Sequence, residues 1–208
     1  QLKTLNTRKG AGPDGLIPKV LRICAYQLAP IITKLFNNSI EQHTTPKLWK
    51  SAIITPLPKV TSPTQLKDYR PIAITSCKIL GRQPKTYITE HTAMDRHQFA
   101  YHQKRSTQDA VLCLTTTITN FIDKAASNYA RCLFLDFSSA FNTIRVEYLI
   151  PLLQHLDSRV TGWVTSFLSN RVQQTMVNNQ LSTPILTHTG TPQGSVLSPL
   201  LFSLYTNR

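Results

Sequence analysis

Asp136 stands inside the stretch R-C-L-F-L-D-F-S-S-A-F-N-T-I, residues 131–144. Leu133, Phe134 and Leu135 read as a short, fully buried strand, and the small residues Ser138, Ser139 and Ala140 lead into a helix-like segment from Phe141. A lone carboxylate at the end of such a strand is either a structural oddity or a metal ligand, because a rigid strand end is a good place to fix a hard oxygen donor. A second group of residues is cationic. Residues 52–54 suit a strand, with Pro56 and Pro58 placing it at a sheet edge or its end, and residues 69–74 start another. If the two form a hairpin, Lys59 leaves the first strand where Arg70 enters the second. Two cations would then converge at one tip and could grip a phosphate chain. Two ordinary surface charges on a solvated loop are the alternative. A third group, Lys78, Arg82, Lys85, Arg96, Lys104 and Arg105, interleaves with Tyr87, Phe99 and Tyr101. That pattern suits a surface that holds a strand backbone and stacks bases.

The elements that must position these residues are partly readable. Residues 8–15, R-K-G-A-G-P-D-G, form a turn-rich entry in which Asp14 can cap the next helix. Ile17, Val20, Leu21, Cys24 and Leu28 recur at helical spacing; Ala29-Pro30 is expected to break that helix, and Ile31, Ile32, Leu35, Phe36 and Ile40 mark a second one. Ser106-Thr107-Gln108-Asp109 is a capping box, with the stripe Ala110, Val111, Leu114, Ile118, Phe121 and Ile122 behind it. Tyr148 to Leu156 and Trp163 to Leu168 give two further helical patterns, with Pro151 bending the first. Residues 171–188 alternate enough for two short strands around Asn178-Asn179. Pro192-Gln193-Gly194 is a tight turn, and Leu197, Leu200, Leu201 and Leu204 form one face of the helix after it.

Composition narrows the class. The chain has 208 residues and is 41% hydrophobic, which suffices for a core and excludes a disordered tail. Net charge is +13 and pI is about 9.9. Fourteen of the 23 Lys and Arg lie in residues 1–85, against only Asp14, Glu41 and Asp68. Such asymmetry points to a polyanionic partner, nucleic acid before an anionic membrane. Cys24, Cys77, Cys113 and Cys132 form no C-x-x-C or zinc pattern, so reduced thiols are expected. No apolar run reaches membrane length. The start at Gln1 and the end at Arg208 suggest a piece of a longer chain.

Five segments in order carry a resemblance: G-P-D-G-L-I-P-K-V-L, L-P-K…D-Y-R-P-I, Q-F-A-Y…R-S-T-Q-D-A-V, L-F-L-D-F-S-S-A-F-N-T-I and G-T-P-Q-G-S-V-L-S-P-L-L-F. Together they resemble the reverse transcriptases of non-LTR (LINE-type) retrotransposons over nearly the whole chain. Polymerases of the group II intron and telomerase types share the palm logic and resemble it less.

The resemblance implies an α+β right-hand polymerase: an N-terminal extension and fingers over 1–130, and a partial palm over 131–208 with an incomplete ferredoxin-like sheet and packed helices. It implies that Asp136 is the catalytic, metal-binding aspartate, joined by the backbone carbonyl of Phe137. Nucleotidyl transfer uses two Mg²⁺ ions about 3.5–4 Å apart. Lys59, Arg70, Ser138, Ser139, Ala140, Phe141, Gln193 and Gly194 would bind the nucleotide, with Phe141 beneath the sugar excluding a 2′-hydroxyl. Lys78, Arg82, Lys104 and Arg105 would hold nucleic acid. The implied partners are an RNA template, a DNA primer and dNTPs, without a membrane, in an intracellular ribonucleoprotein of nucleus or cytoplasm.

Two departures bear on activity. The family's aromatic-x-Asp-Asp turn, which carries the other metal aspartates, has no counterpart, since the chain contains no Asp-Asp pair. The run Gly81-Arg82-Gln83-Pro84 replaces residues that open a helix in the family, and Gly and Pro are expected to disrupt it. A fragment of an RNA-directed DNA polymerase, inactive alone, is the leading expectation. A non-catalytic nucleic-acid-binding module or a decayed remnant is the other.

Overall fold

The computed structural model describes residues 1–8, 10–76, 81–125 and 128–207. In chain order the elements are α1 (Pro18–Ile23), α2 (Ala25–Glu41), β1 (Ser51–Pro58), β2 (Tyr69–Thr75), α3 (Arg82–His91), α4 (Thr107–Ile122), α5 (Val146–Leu149), α6 (Ser158–Leu168), β3 (Arg171–Val177), β4 (Gln180–Leu181), β5 (Ile185–Thr187) and α7 (Ser198–Thr206). The fold of the described residues is mixed: seven α-helices and one mixed sheet.

The sheet runs β2-β1-β3-β4, with β5 also on β3. β1 and β2 form the expected hairpin, with Pro58 opposite Tyr69 and Leu57 opposite Arg70. β1 pairs in parallel with β3 only over Ser51 to Ile54. Beyond Ile54 one side of β1 is open, which is where Pro56 and Pro58 are tolerated without losing a ladder bond on that side. Asn178 and Asn179 both adopt positive φ (50° and 61°) and turn β3 into β4, as a tight hairpin requires.

The main core is helical. Ile88 of α3, Leu149 of α5, Trp163, Val164, Phe167 and Leu168 of α6, and Leu200, Leu201 and Leu204 of α7 pack together with Ile144, Leu153, Leu156 and Leu197. The Trp163 indole N–H donates to Ser39 Oγ (2.9 Å), and its ring stacks on Phe167 with centroids 5.6 Å apart. A second cluster joins Leu2, Leu5, Leu21 and Ala25. Ser106 caps α4 as the sequence implies: its hydroxyl accepts from the Asp109 amide, and Asp109 accepts from the Ser106 amide (2.7 Å).

Five expectations need correction. The run Leu133, Phe134, Leu135 belongs to no strand, and it is exposed, Leu133 by 83% and Leu135 by 79%. No strand among the described residues lies beside it, and a strand without lateral partners cannot satisfy its amides away from water. The stripe on α4 is uncovered too; that helix has no buried residue, and Val111 and Phe121 are exposed. Pro30 does not break its helix: the break falls at Cys24, and Pro30 sits inside α2. The proline removes one amide donor, while Phe36 and Ile40 of the same helix pack on the main core and hold it together. The Gly81-Arg82-Gln83-Pro84 run opens α3 rather than disrupting one. Gly81 is its N-cap and Pro84 lies in the first turn, where the missing N–H has no partner to lose. Asp14 accepts from the Leu16 amide (3.2 Å), but Ile17 is the N-cap residue of α1.

Candidate functional site

A single turn gathers the chemistry-bearing segments. Residues 190–194 run between the 139–144 segment and β2. The Gly190 amide donates to the Ile144 carbonyl (2.7 Å) and the Thr191 amide to the Phe141 carbonyl (2.8 Å). On the other side, the Ala73 amide of β2 donates to the Gln193 carbonyl (2.7 Å). The Ser195 amide closes the turn on the Pro192 carbonyl (2.9 Å). Two glycines make this clasp possible. Gly190 has φ +77°, and a Cβ there would sit 2.8 Å from Asn142 Cα; Gly194 has φ +116°, and a Cβ there would sit 2.8 Å from the Ala73 carbonyl oxygen.

Phe141 is half-buried in an aromatic group. Its ring lies 5.5 Å from Phe202 and 6.2 Å from Tyr101, and Phe202 also meets Phe137 at 5.8 Å. Just before it, Ser139 holds a left-handed φ of 56° and turns the chain into a single 3-10 turn over Ala140–Asn142. The amides of Ser138, Ser139 and Ala140 have no hydrogen-bond acceptor among the described residues. Asp136 is exposed four residues before this turn, in the 131–137 segment that belongs to no strand or helix. No group of three His, Cys, Asp or Glu side chains suited to a metal ion gathers among the described residues.

At the hairpin tip, the Lys59 amide donates to the Asp68 carbonyl (2.7 Å), and the Lys59 ammonium donates to the Lys67 carbonyl (2.8 Å). Asp68 accepts from the Thr64 and Gln65 amides (3.0 and 2.9 Å), and these backbone hydrogen bonds, Gln65 first, hold its carboxyl below the usual range. Arg70 is exposed on β2, opposite Leu57. The tip therefore presents both cations, with Lys59 already hydrogen-bonded to the loop.

The proposed nucleic-acid residues divide. The Arg82 guanidinium donates to Thr4 Oγ1 (3.1 Å). Arg105 donates to the Arg96 and Gln98 carbonyls and lies over Phe99, so it ties its own loop together. Lys104 is exposed, with φ +63°. Lys78 lies outside the described residues.

One residue escaped the sequence reading. Arg171 opens β3 and is only 4% exposed. Its Nη1 donates to the Phe167 carbonyl (3.0 Å) at the end of α6, and its guanidinium lies 4.8 Å from the Phe167 ring centroid. A single arginine after a helix carries no pattern that marks it as buried.

Residues 57–208 match the family of reverse transcriptases, RNA-dependent DNA polymerases. The chain belongs to that family. Within it, the chain is 29% identical to the probable RNA-directed DNA polymerase from transposon BS of Drosophila melanogaster, over 99% of the chain. It is 28% identical, over 97% of its length, to the RNA-directed DNA polymerase from mobile element jockey of the same organism. It is 22% identical to the retrovirus-related Pol polyprotein from the type-1 retrotransposable element R1 of Bradysia coprophila, over 99% of the chain. The chain spans under a quarter of these relatives, 23% of the first two and 21% of the third. The LINE-type resemblance in its motifs thus agrees with its relatives. None of its described helices is long and apolar enough to cross a membrane.

Proposed function

We propose that this chain is the fingers and first palm portion of an RNA-directed DNA polymerase from a mobile element, where it binds RNA template, DNA primer and dNTP. The observation that carries this reading is the clasp: the Pro192-Gln193-Gly194 turn is hydrogen-bonded at once to Phe141 and to the strand that bears Arg70. That arrangement brings the family-matched nucleotide residues onto one framework. Residues 1–130 would be the N-terminal extension and fingers, and 131–208 the partial palm. Lys59 and Arg70 would take the triphosphate, the free amides of Ser138, Ser139 and Ala140 would add donors, and Phe141 would lie under the sugar. Lys104, Lys78 and the rims near Arg82 and Arg105 would follow the nucleic-acid backbone. The setting would be an intracellular ribonucleoprotein.

Asp136 and the Phe137 carbonyl are hard oxygen donors of the kind Mg²⁺ takes. Among the described residues they belong to no group of three His, Cys, Asp or Glu side chains that could hold a metal ion. Purified 1–208 is expected to incorporate no labelled dNTP on a primed RNA template. Incorporation that disappears in Asp136→Ala would overturn that expectation.

The exposed Asp136, together with the basic charge of the chain, favours a second reading, a basic nucleic-acid-binding module without chemistry. It requires RNA or RNA–DNA binding that weakens steeply as salt rises. Absence of binding at low salt would overturn it.

A further inference from the structure

A cavity of about 620 Å³ lies between the start of β3 and the 187–193 segment, with Ala52 and Ile54 of β1 on its wall. Arg171, Thr191 and Gln193 line it, and each carries a buried polar atom without a protein partner: Arg171 Nη2, Thr191 Oγ1 and Gln193 Oε1. No Asp or Glu lines the cavity. No carboxylate among the described residues pairs with Arg171.

A buried guanidinium without a counter-ion is costly, and such groups are kept where they pair with something. Burial pushes Arg171 down to about 10, so it remains a cation at neutral pH. Burial, and then the charge of Arg171, also lower Lys50. The bond from Nη1 to the Phe167 carbonyl explains one side of the fork as the end of α6. It leaves Nη2 unexplained, and with it the unpartnered hydroxyl of Thr191.

We propose that this cavity binds one phosphodiester group of a single-stranded nucleic acid, with Arg171 as its counter-ion and Thr191 as a neutral donor. The charge decides between phosphate sources. One buried cation balances one phosphodiester, whereas a free triphosphate carries several negative charges and has its own candidate grip at Lys59 and Arg70. The identity of the strand rests on the polymerase-fragment reading; the anion preference rests on the cavity.

The test is anisotropy of a fluorescein-labelled single-stranded RNA of about 12 nucleotides, titrated with 1–208 across a series of salt concentrations. Loss of one phosphate contact lowers the slope of log K against log salt by about 0.7. Arg171→Gln is therefore expected to flatten the slope by that amount and to weaken binding on the order of tenfold. Arg171→Lys should restore the slope. An unchanged slope in a folded Arg171→Gln protein overturns the proposal. Because Arg171 also serves α6, Thr191→Val provides an independent reading: its hydroxyl has no partner to lose, so the fold should survive. Binding should weaken with the slope unchanged, and unaltered affinity overturns the proposal. A dNTP whose own binding is lost in Arg171→Gln would overturn the strand assignment. Absence of RNA binding by the unsubstituted chain would overturn the polymerase-fragment reading itself, a result distinct from the others.

Discussion

The Ala73 amide donates to the Gln193 carbonyl at 2.7 Å, and the next residue, Gly194, leaves no room for a side chain beside the Ala73 carbonyl. This joins the turn before α7 to the middle of β2. Gly194→Ala would place a Cβ 2.8 Å from that oxygen at φ +116°. It should destabilise the chain by about 1–3 kcal/mol, measured by urea unfolding. A change within about 0.3 kcal/mol would mean that the turn rearranges at no cost.

Lys59 and Arg70 should contribute unequally to nucleotide binding. Arg70 is exposed, while the Lys59 ammonium must leave the Lys67 carbonyl before it can reach a phosphate. Arg70→Ala is expected to weaken dNTP binding on the order of tenfold, the value of a charge-assisted hydrogen bond, and Lys59→Ala by less. Fluorescent-nucleotide titration distinguishes the two. Equal losses would show that the loop bond of Lys59 costs nothing to break.

Trp163 anchors the helical core. It is 1% exposed, stacks on Phe167 and donates to Ser39. Trp163→Ala should cost about 3–5 kcal/mol and Trp163→Phe less, because the ring volume is largely kept. Circular-dichroism melting of both variants checks the order.

The acid limb of stability should depend on Asp157. The Arg159 side chain (2.6 Å) and amide (2.8 Å) hold its carboxyl down to about 2. A carboxyl depressed on folding stabilises above its unfolded value, and that contribution is lost as pH falls through the folded value. The melting temperature should therefore fall between about pH 4 and pH 2. Asp157→Asn should flatten that limb while leaving the contribution of Asp109, held low chiefly by the Ser106 hydroxyl.

The run before Asp136 gives a sharp contrast with a buried strand. Leu133→Asp should change stability by no more than about 0.5 kcal/mol, as surface changes do. Amides of 131–137 should exchange at nearly unprotected rates, whereas the Ala73 amide, bonded to the Gln193 carbonyl, should be protected. Protection across 131–137 would place that run in a paired strand.

Local signals in the sequence gave reliable elements. The Ser106 and Asp109 capping box, the Asn178-Asn179 turn and the apolar face of α7 all depend on neighbours within a few residues. Their geometry is settled by short-range sterics and hydrogen bonding. The hairpin between Pro58 and Tyr69, closed over a ten-residue loop, is instead supported by the family resemblance rather than by spacing. The motifs likewise identified the family. Expectations failed where the outcome depends on distant partners. Leu133, Phe134 and Leu135 are apolar enough for a core, yet a strand is buried only when others flank it, and none among the described residues does. Pro30 and Pro84 carry the local signature of helix breakers, but packing of α2 and the position of Pro84 in the first turn of α3 decide otherwise.

By itself, then, the sequence determined the family, the helix and turn punctuation, and the solitude of Asp136 as a candidate metal ligand. Only the tertiary structure decided that β1 pairs in parallel with a strand over a hundred residues away, that the Gln193 turn is bonded to both Phe141 and Ala73, and that Arg171 is buried without a counter-ion. These depend on the closure of long loops and on which surfaces remain to cover one another, and neither is written in the spacing of any one segment.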